Sequence, residues 1–265
     1  MTIKMKMGLM QGRLSVPVNN HMQEFPEDWK GEFPLLNECG LEGMEWLVTK
    51  NCSIDNPVYQ EPKTVAEFPI TSICLDTLVD RRIVDLLYLE THLGSLCEVL
   101  MRDTTLRNVT IPLLEDSSME DEDIRKKFIS EITIFADRFP EICFTFEAEL
   151  GKEELSEIVN LRDNFYVTYD TGNITSYGLS HLEYIRFFAK KINNVHLKDR
   201  TFDATTVAPS SGDTDFETIF KGLREIGYNG PYTIQTARGT TGKEKETILK
   251  HMHIFQEIFK RVAHG

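Results

Sequence analysis

Short runs in which apolar and polar residues alternate recur along the chain, and longer segments with apolar positions three and four apart separate them. The first pattern predicts strands and the second amphipathic helices. Strands are predicted at 6–14, 43–48, 70–76, 108–115, 142–149, 165–170, 193–198 and 231–236. A helix at 29–39 places Trp29, Phe33, Leu36 and Cys39 on one face, and Gly40 ends it. Further helices are predicted at 84–101, 120–139, 152–161, 180–189 and 245–261. Another opens at a capping box of Thr214 with Glu217 and closes at Gly227. Ser180 with Glu183 makes a second such box. Between the second and third strands the pattern is irregular, with one short helix expected at 64–68.

Eight strands alternating with about eight helices, with no linker or repeat, imply a parallel sheet with helical crossovers. A chain of 265 residues accommodates eight such units. The expected fold is therefore α/β, a single (β/α)8 TIM barrel over residues 1–265 with a degenerate second helix. A doubly wound nucleotide-binding sheet would need a glycine-rich first turn. Here "MQGRLSVP" has one glycine and no G-x-G-x-x-G.

In a barrel, side chains alternate between the interior and the helix layer, and chemistry gathers at the C-terminal strand ends. In "FTFEAEL" the apolar Phe144, Phe146 and Ala148 suit the helix layer, which turns Glu147 inward. The same parity turns Asp170 inward in "FYVTYDTGN", His196 and Lys198 in "NNVHLKDR", and Gln235 in "YTIQTAR". Four successive strands thus each present one ligand type at similar depth. Carboxylates enclosed together repel and are costly to desolvate, so a positive charge is required among them. One divalent ion meets that need, and this ligand set suits Mn²⁺, Co²⁺, Zn²⁺ or Mg²⁺. Glu45 and Asp76, inward on strands two and three, add substrate-binding candidates.

The segments "GLMQGRLS", "FEAEL", "YDTGN", "VHLKDR", "SGDTDF", "GYNGPY" and "TIQTAR", in this order, resemble the xylose isomerase-like TIM-barrel superfamily and its sugar phosphate isomerase/epimerase branch. The resemblance implies one divalent metal held by Glu, Asp, His and Glu from strands five to eight. Glu147, Asp170 and His196 match the first three, and Gln235 stands where the fourth glutamate is expected. An amide oxygen still coordinates a hard cation but cannot act as a base. The implied chemistry is therefore a one-base isomerisation or epimerisation of a small sugar or sugar phosphate. Glu147 removes the proton beside a polarised carbonyl, and an enediolate forms. Lys198 either stabilises that charge and moves the second proton, or forms a salt bridge with Asp170 or Glu149. Two alternatives share the fold: a lyase acting on a sugar acid or inosose, and a non-catalytic sugar-binding barrel in which Gln235 has ended turnover.

For a phosphate or carboxylate on the substrate, Ser211 in "SSGDT" offers an anion cradle ahead of a helix. Arg13, Arg200 and Arg238 follow strand ends as anion-binding candidates. Related sequences commonly carry glycine where Ser210 stands. With 29 basic against 42 acidic residues the net charge is −13, which disfavours nucleic-acid and anionic-membrane partners. Seven histidines are too few for a three-metal endonuclease site of the same fold. Five scattered cysteines without a C-x-x-C, and an N-terminal apolar run too short for a signal peptide, imply a cytoplasmic protein with reduced thiols. Barrels of this type often pair as homodimers, and no surface stripe in the sequence demands it.

Overall fold

The computed structural model describes residues 5–19, 21–80 and 83–264. Eight parallel strands close a barrel. They are β1 (Met7–Met10), β2 (Gly43–Leu47), β3 (Ile70–Cys74), β4 (Asn108–Leu113), β5 (Cys143–Ala148), β6 (Phe165–Asp170), β7 (Ile192–Leu197) and β10 (Tyr232–Ile234), the last closing onto β1. Between β7 and β10, β8 (Asp199–Arg200) and β9 (Thr206–Val207) pair as a small antiparallel ribbon. All eight predicted barrel strands are present. Several are shorter than the hydrophobic pattern, which runs on into the strand-end residues that carry chemistry.

The helices differ more. The 29–39 helix contracts to Glu32–Glu38. In place of one helix at 64–68 there are two single turns, Pro57–Gln60 and Pro62–Val65, each opened by a proline whose missing N–H is harmless there. The long helix at 84–101 is interrupted by a π-turn at Glu90–Gly94, between the α-helical Leu86–Leu89 and Ser95–Asp103. Ser180 caps its helix as expected, accepting the Glu183 N–H. The other predicted cap moves by one residue: Asp215, not Thr214, accepts the Thr218 N–H at 3.0 Å. The Thr214 hydroxyl is taken by the Arg200 N–H at 3.2 Å and by Thr175 Oγ1 at 3.0 Å. No helix among the described residues is long and apolar enough to cross a membrane.

The chain packs as two units, Met1–Met44 with Thr168–Gly265, and Glu45–Val167, the divisions falling inside β2 and β6. In the first, parallel pairing sets Gly8 beside Thr233 and Thr233 beside His196. Tyr232 faces outward onto Phe220 and Phe259 of two covering helices, with ring centroids 6.0 Å away in each case. In the second, Phe144 and Phe146 point outward onto Phe165, and Phe146 also onto Phe128 of the helix Glu122–Arg138. The inner face is polar: Thr110 donates to Glu45 at 2.7 Å and lies 3.4 Å from Thr145. The alternation read from "FTFEAEL" therefore holds on this wall.

Asn56 secures the irregular crossover after β2. It accepts from the Trp46 indole at 2.8 Å and the Val58 N–H at 3.1 Å, and donates to the carbonyls of Leu47 and Cys52. It is wholly buried. Asn56→Ala removes these four hydrogen bonds, and a buried polar group that loses its partner costs about 1–3 kcal/mol. The expected outcome is a clear fall in the urea midpoint with an unchanged slope.

Candidate metal centre

Asp170 ends β6 and caps the short helix Thr171–Ser176, its Oδ1 accepting the Asn173 N–H at 2.8 Å. Its Oδ2 lies 2.8 Å from the Lys198 ammonium and 3.8 Å from His196 Nδ1. The Thr171 hydroxyl donates to the Lys198 carbonyl at 2.6 Å and accepts the Lys198 N–H at 2.9 Å. At Gly172 a Cβ would stand 2.9 Å from Lys198 Cγ, so only glycine lets the lysine stem pass. The motifs "DTGN" and "HLKD" are thus one interlocked device. Thr171 fixes the backbone of Lys198, Gly172 makes room for its stem, and Asp170 receives its charge. With Asp170 and Lys198 side chains 1% and 9% exposed, the pair is shielded from water, and loss of either partner strands the other.

His196 is wholly buried at the end of β7, with Nε2 3.2 Å from the Asn194 amide nitrogen. Thr233 in turn donates to Asn194 Oδ1 at 3.4 Å. Gln235 lies just past β10, its N–H donating to the Leu197 carbonyl at 3.1 Å. Its side-chain oxygen is buried without a hydrogen-bond partner among the described residues. Such an oxygen costs about 1–3 kcal/mol to bury unless something positive engages it. Next to it, Thr236 is bonded to His251 Nδ1 at 2.8 Å, which steadies this strand end.

Glu147 is buried on β5. Glu147, Asp170 and His196 offer ligand atoms that all lie within 4.8 Å of one another. Two carboxylates and an imidazole form a donor set that fits a divalent cation, and the chemistry of that set leaves the metal's identity open. The orphaned oxygen of Gln235 follows the strand that pairs with that of His196.

The remaining candidates are placed as follows. Glu45 accepts from Thr110. Asp76 opens the 3₁₀ turn Asp76–Asp80 beyond β3, half-buried. Arg13 donates to the carbonyls of Thr236 and Met22, and Arg238 to those of Gly12, Ser15 and His21. Arg200 reaches Ser176 Oγ at 3.3 Å. The N–H of Ser211 donates to the carboxylate of Asp199. Asn194, Thr171 and Asp199 were not singled out from the sequence. The hydroxyl and glycine directly after Asp170 in "DTGN", and the acid after Lys198 in "HLKD", were the available signals.

Two histidines outside the cluster hold neutral rings. His181, bonded to the Tyr169 hydroxyl at 2.6 Å, is pushed down to about 4 by burial. His251 is pushed down to about 4, by burial first and by Lys250 second.

Residues 138–258 match the family model described as "Xylose isomerase-like TIM barrel". An inosose dehydratase of Clostridium perfringens is 30% identical over 99 residues, and this match takes in 29% of the chain and 33% of that enzyme. The chain thus matches about a third of the length of this curated relative. Among solved structures, the IolI protein with a zinc atom superposes with a TM-score of 0.73 at 18% identity, covering 97% of this chain and 99% of that one. L-ribulose 3-epimerase gives 0.73 at 12%, covering 98% and 96%. The 3-keto-D-glucoside 4-epimerase YcjR of E. coli gives 0.69 at 16%, covering 96% and 100%. At these identities the likeness is one of fold. The fold is a TIM barrel, as the alternation of strands and helices led us to expect, and the family model matches residues 138–258 of it.

Two outcomes are expected. Gly172→Ala drives the Lys198 stem off its path and unsettles a buried ion pair whose disruption costs roughly 3–5 kcal/mol at the extreme, so the thermal midpoint falls. On acidification, the unfolded chain takes up protons near the ordinary histidine value of 6.5 that folded His181 and His251 refuse until about 4. Stability is therefore lost as pH falls through that window. His251→Gln should flatten part of the loss in pH-dependent denaturation curves.

Proposed function

We propose that this xylose isomerase-like TIM barrel isomerises or epimerises a small sugar through an enediolate, with Glu147 as its single base. The observation that carries the reading is the buried grouping of Glu147, Asp170 and His196, with the partnerless oxygen of Gln235 in support. A divalent cation held by these four residues supplies Lewis-acid polarisation of a carbonyl and its neighbouring hydroxyl. Glu147 takes the proton from the carbon beside that carbonyl. Asp170 is fixed for its ligand role by the helix it caps and by Lys198. The Lys198 ammonium offsets one buried carboxylate and is the cation available to steady charge on the enediolate or return a proton. Gln235 cannot accept a proton, so both proton transfers at carbon fall to Glu147 and Lys198.

The match to inosose dehydratase favours a second reading on the same residues. Elimination also begins with proton removal beside a carbonyl, then expels a hydroxyl from the next carbon with a proton supplied by an acid. It needs one base and one acid, which Glu147 and Lys198 provide.

Elemental analysis of purified protein, after chelation and replenishment with Mn²⁺, should find about one ion per chain. His196→Ala should lose it, and Glu147→Gln should abolish turnover of ketoses by roughly 10³-fold or more. Product NMR separates the two chemistries: an isomer of unchanged formula, an epimer or an aldose, marks isomerisation or epimerisation, and an unsaturated or deoxy product marks elimination. If sugars bind and turn over only in Gln235→Glu, the natural chain is a binding protein and the catalytic reading fails.

A further inference from the structure

In barrels of this architecture the phosphate of a substrate is commonly received by the loops after the seventh and eighth barrel strands, against the N-terminus of a helix. This chain has such a loop, "SSGDT", ahead of the helix Phe216–Glu225. An anion of the protein's own already fills it. Asp199, wholly buried, accepts the N–H groups of Ser211 at 3.1 Å and Gly212 at 3.0 Å on Oδ2, and that of Thr214 at 3.3 Å on Oδ1.

The loop is shaped around this carboxylate. A Cβ at Gly212 would stand 2.4 Å from Asp199 Oδ1, so no other residue fits there unshifted. Ser210 adopts φ +66, the left-handed turn glycine would take, so the loop keeps its path without that glycine. The helix behind it is capped separately by Asp215. The candidate cations make other bonds. Arg200, beside Asp199, donates to Ser176 Oγ at 3.3 Å, and Arg13 and Arg238, which line a separate pocket with Glu244, donate to backbone carbonyls. Lys198 lies on Asp170.

A phosphate entering this loop would have to share or displace a buried carboxylate. Two anions about 4 Å apart repel by about 4 kcal/mol at an effective dielectric of 20, the value for pairs near a protein surface. We propose that Asp199 is a built-in anion that excludes phosphate from this loop and makes it a specificity-determining residue. The substrate class is then an unphosphorylated, uncharged sugar or polyol. This inference rests on the sugar reading above for its substrate class, but the exclusion of phosphate stands on the loop itself.

Inorganic phosphate titrated into the full-length protein, with the amide resonances of Ser211, Gly212 and Thr214 followed by NMR, tests the exclusion without requiring turnover. The wild type should show no saturable shift at these amides. Asp199→Asn, which keeps the shape and removes the charge, should gain one. A saturable shift in the wild type overturns the proposal, even if the variant does not fold. With Mn²⁺-loaded protein, D-fructose should be preferred over its 6-phosphate by at least about tenfold in kcat/KM or Kd, a difference of about 1.4 kcal/mol. A preference for the phosphate ester overturns the substrate class. If neither sugar binds or reacts, the proposed function fails, and the phosphate titration still decides the role of Asp199.

Discussion

A carboxylate buried at the end of a strand needs both of its oxygens answered, and Asp170 meets that demand in a way that organises its surroundings. One oxygen accepts the Asn173 N–H and starts a helix; the other receives the Lys198 ammonium and faces His196. Holding the lysine there requires its backbone to be latched by Thr171 and its stem to pass over Gly172. A short helix, a glycine and a strand end are thereby committed to a single charge. The arrangement also fixes the orientation of Asp170.

Gln235 makes sense against this charge balance. A third carboxylate would add another buried negative charge beside a single lysine, whereas an amide keeps a coordinating oxygen without it. The exchange has a chemical consequence. In the proposed chemistry the amide takes no proton, so proton transfer at carbon would fall to one carboxylate and one ammonium, a pairing equally at home in isomerisation and in elimination.

Asp199 extends the same principle to the loop after β7. A ring of main-chain N–H groups ahead of a helix attracts an anion, and the chain supplies its own. His196 and Lys198 thus both face Asp170 at the strand end, and the next residue, Asp199, turns away to build the loop. Neighbours in the chain serve different tasks because alternation sends them to opposite sides.

The amino-acid sequence by itself determined the strands, their parity and hence the inward placement of Glu147, Asp170 and His196. Two-residue alternation is a local property, and a one-residue error would have put Phe144 and Phe146 inside the barrel. Helix boundaries were less legible. The π-turn at Glu90–Gly94 and the paired turns at Pro57–Gln60 and Pro62–Val65 answer to packing across the structure, not to local periodicity. The sequence equally could not tell whether Lys198 is free or paired, or whether "SSGDT" is an open cradle. Both depend on which groups distant in the chain come within about 3 Å, the range in which a hydrogen bond forms. Only the tertiary structure, by bringing "DTGN" to "HLKD" and folding the loop back onto Asp199, decided them.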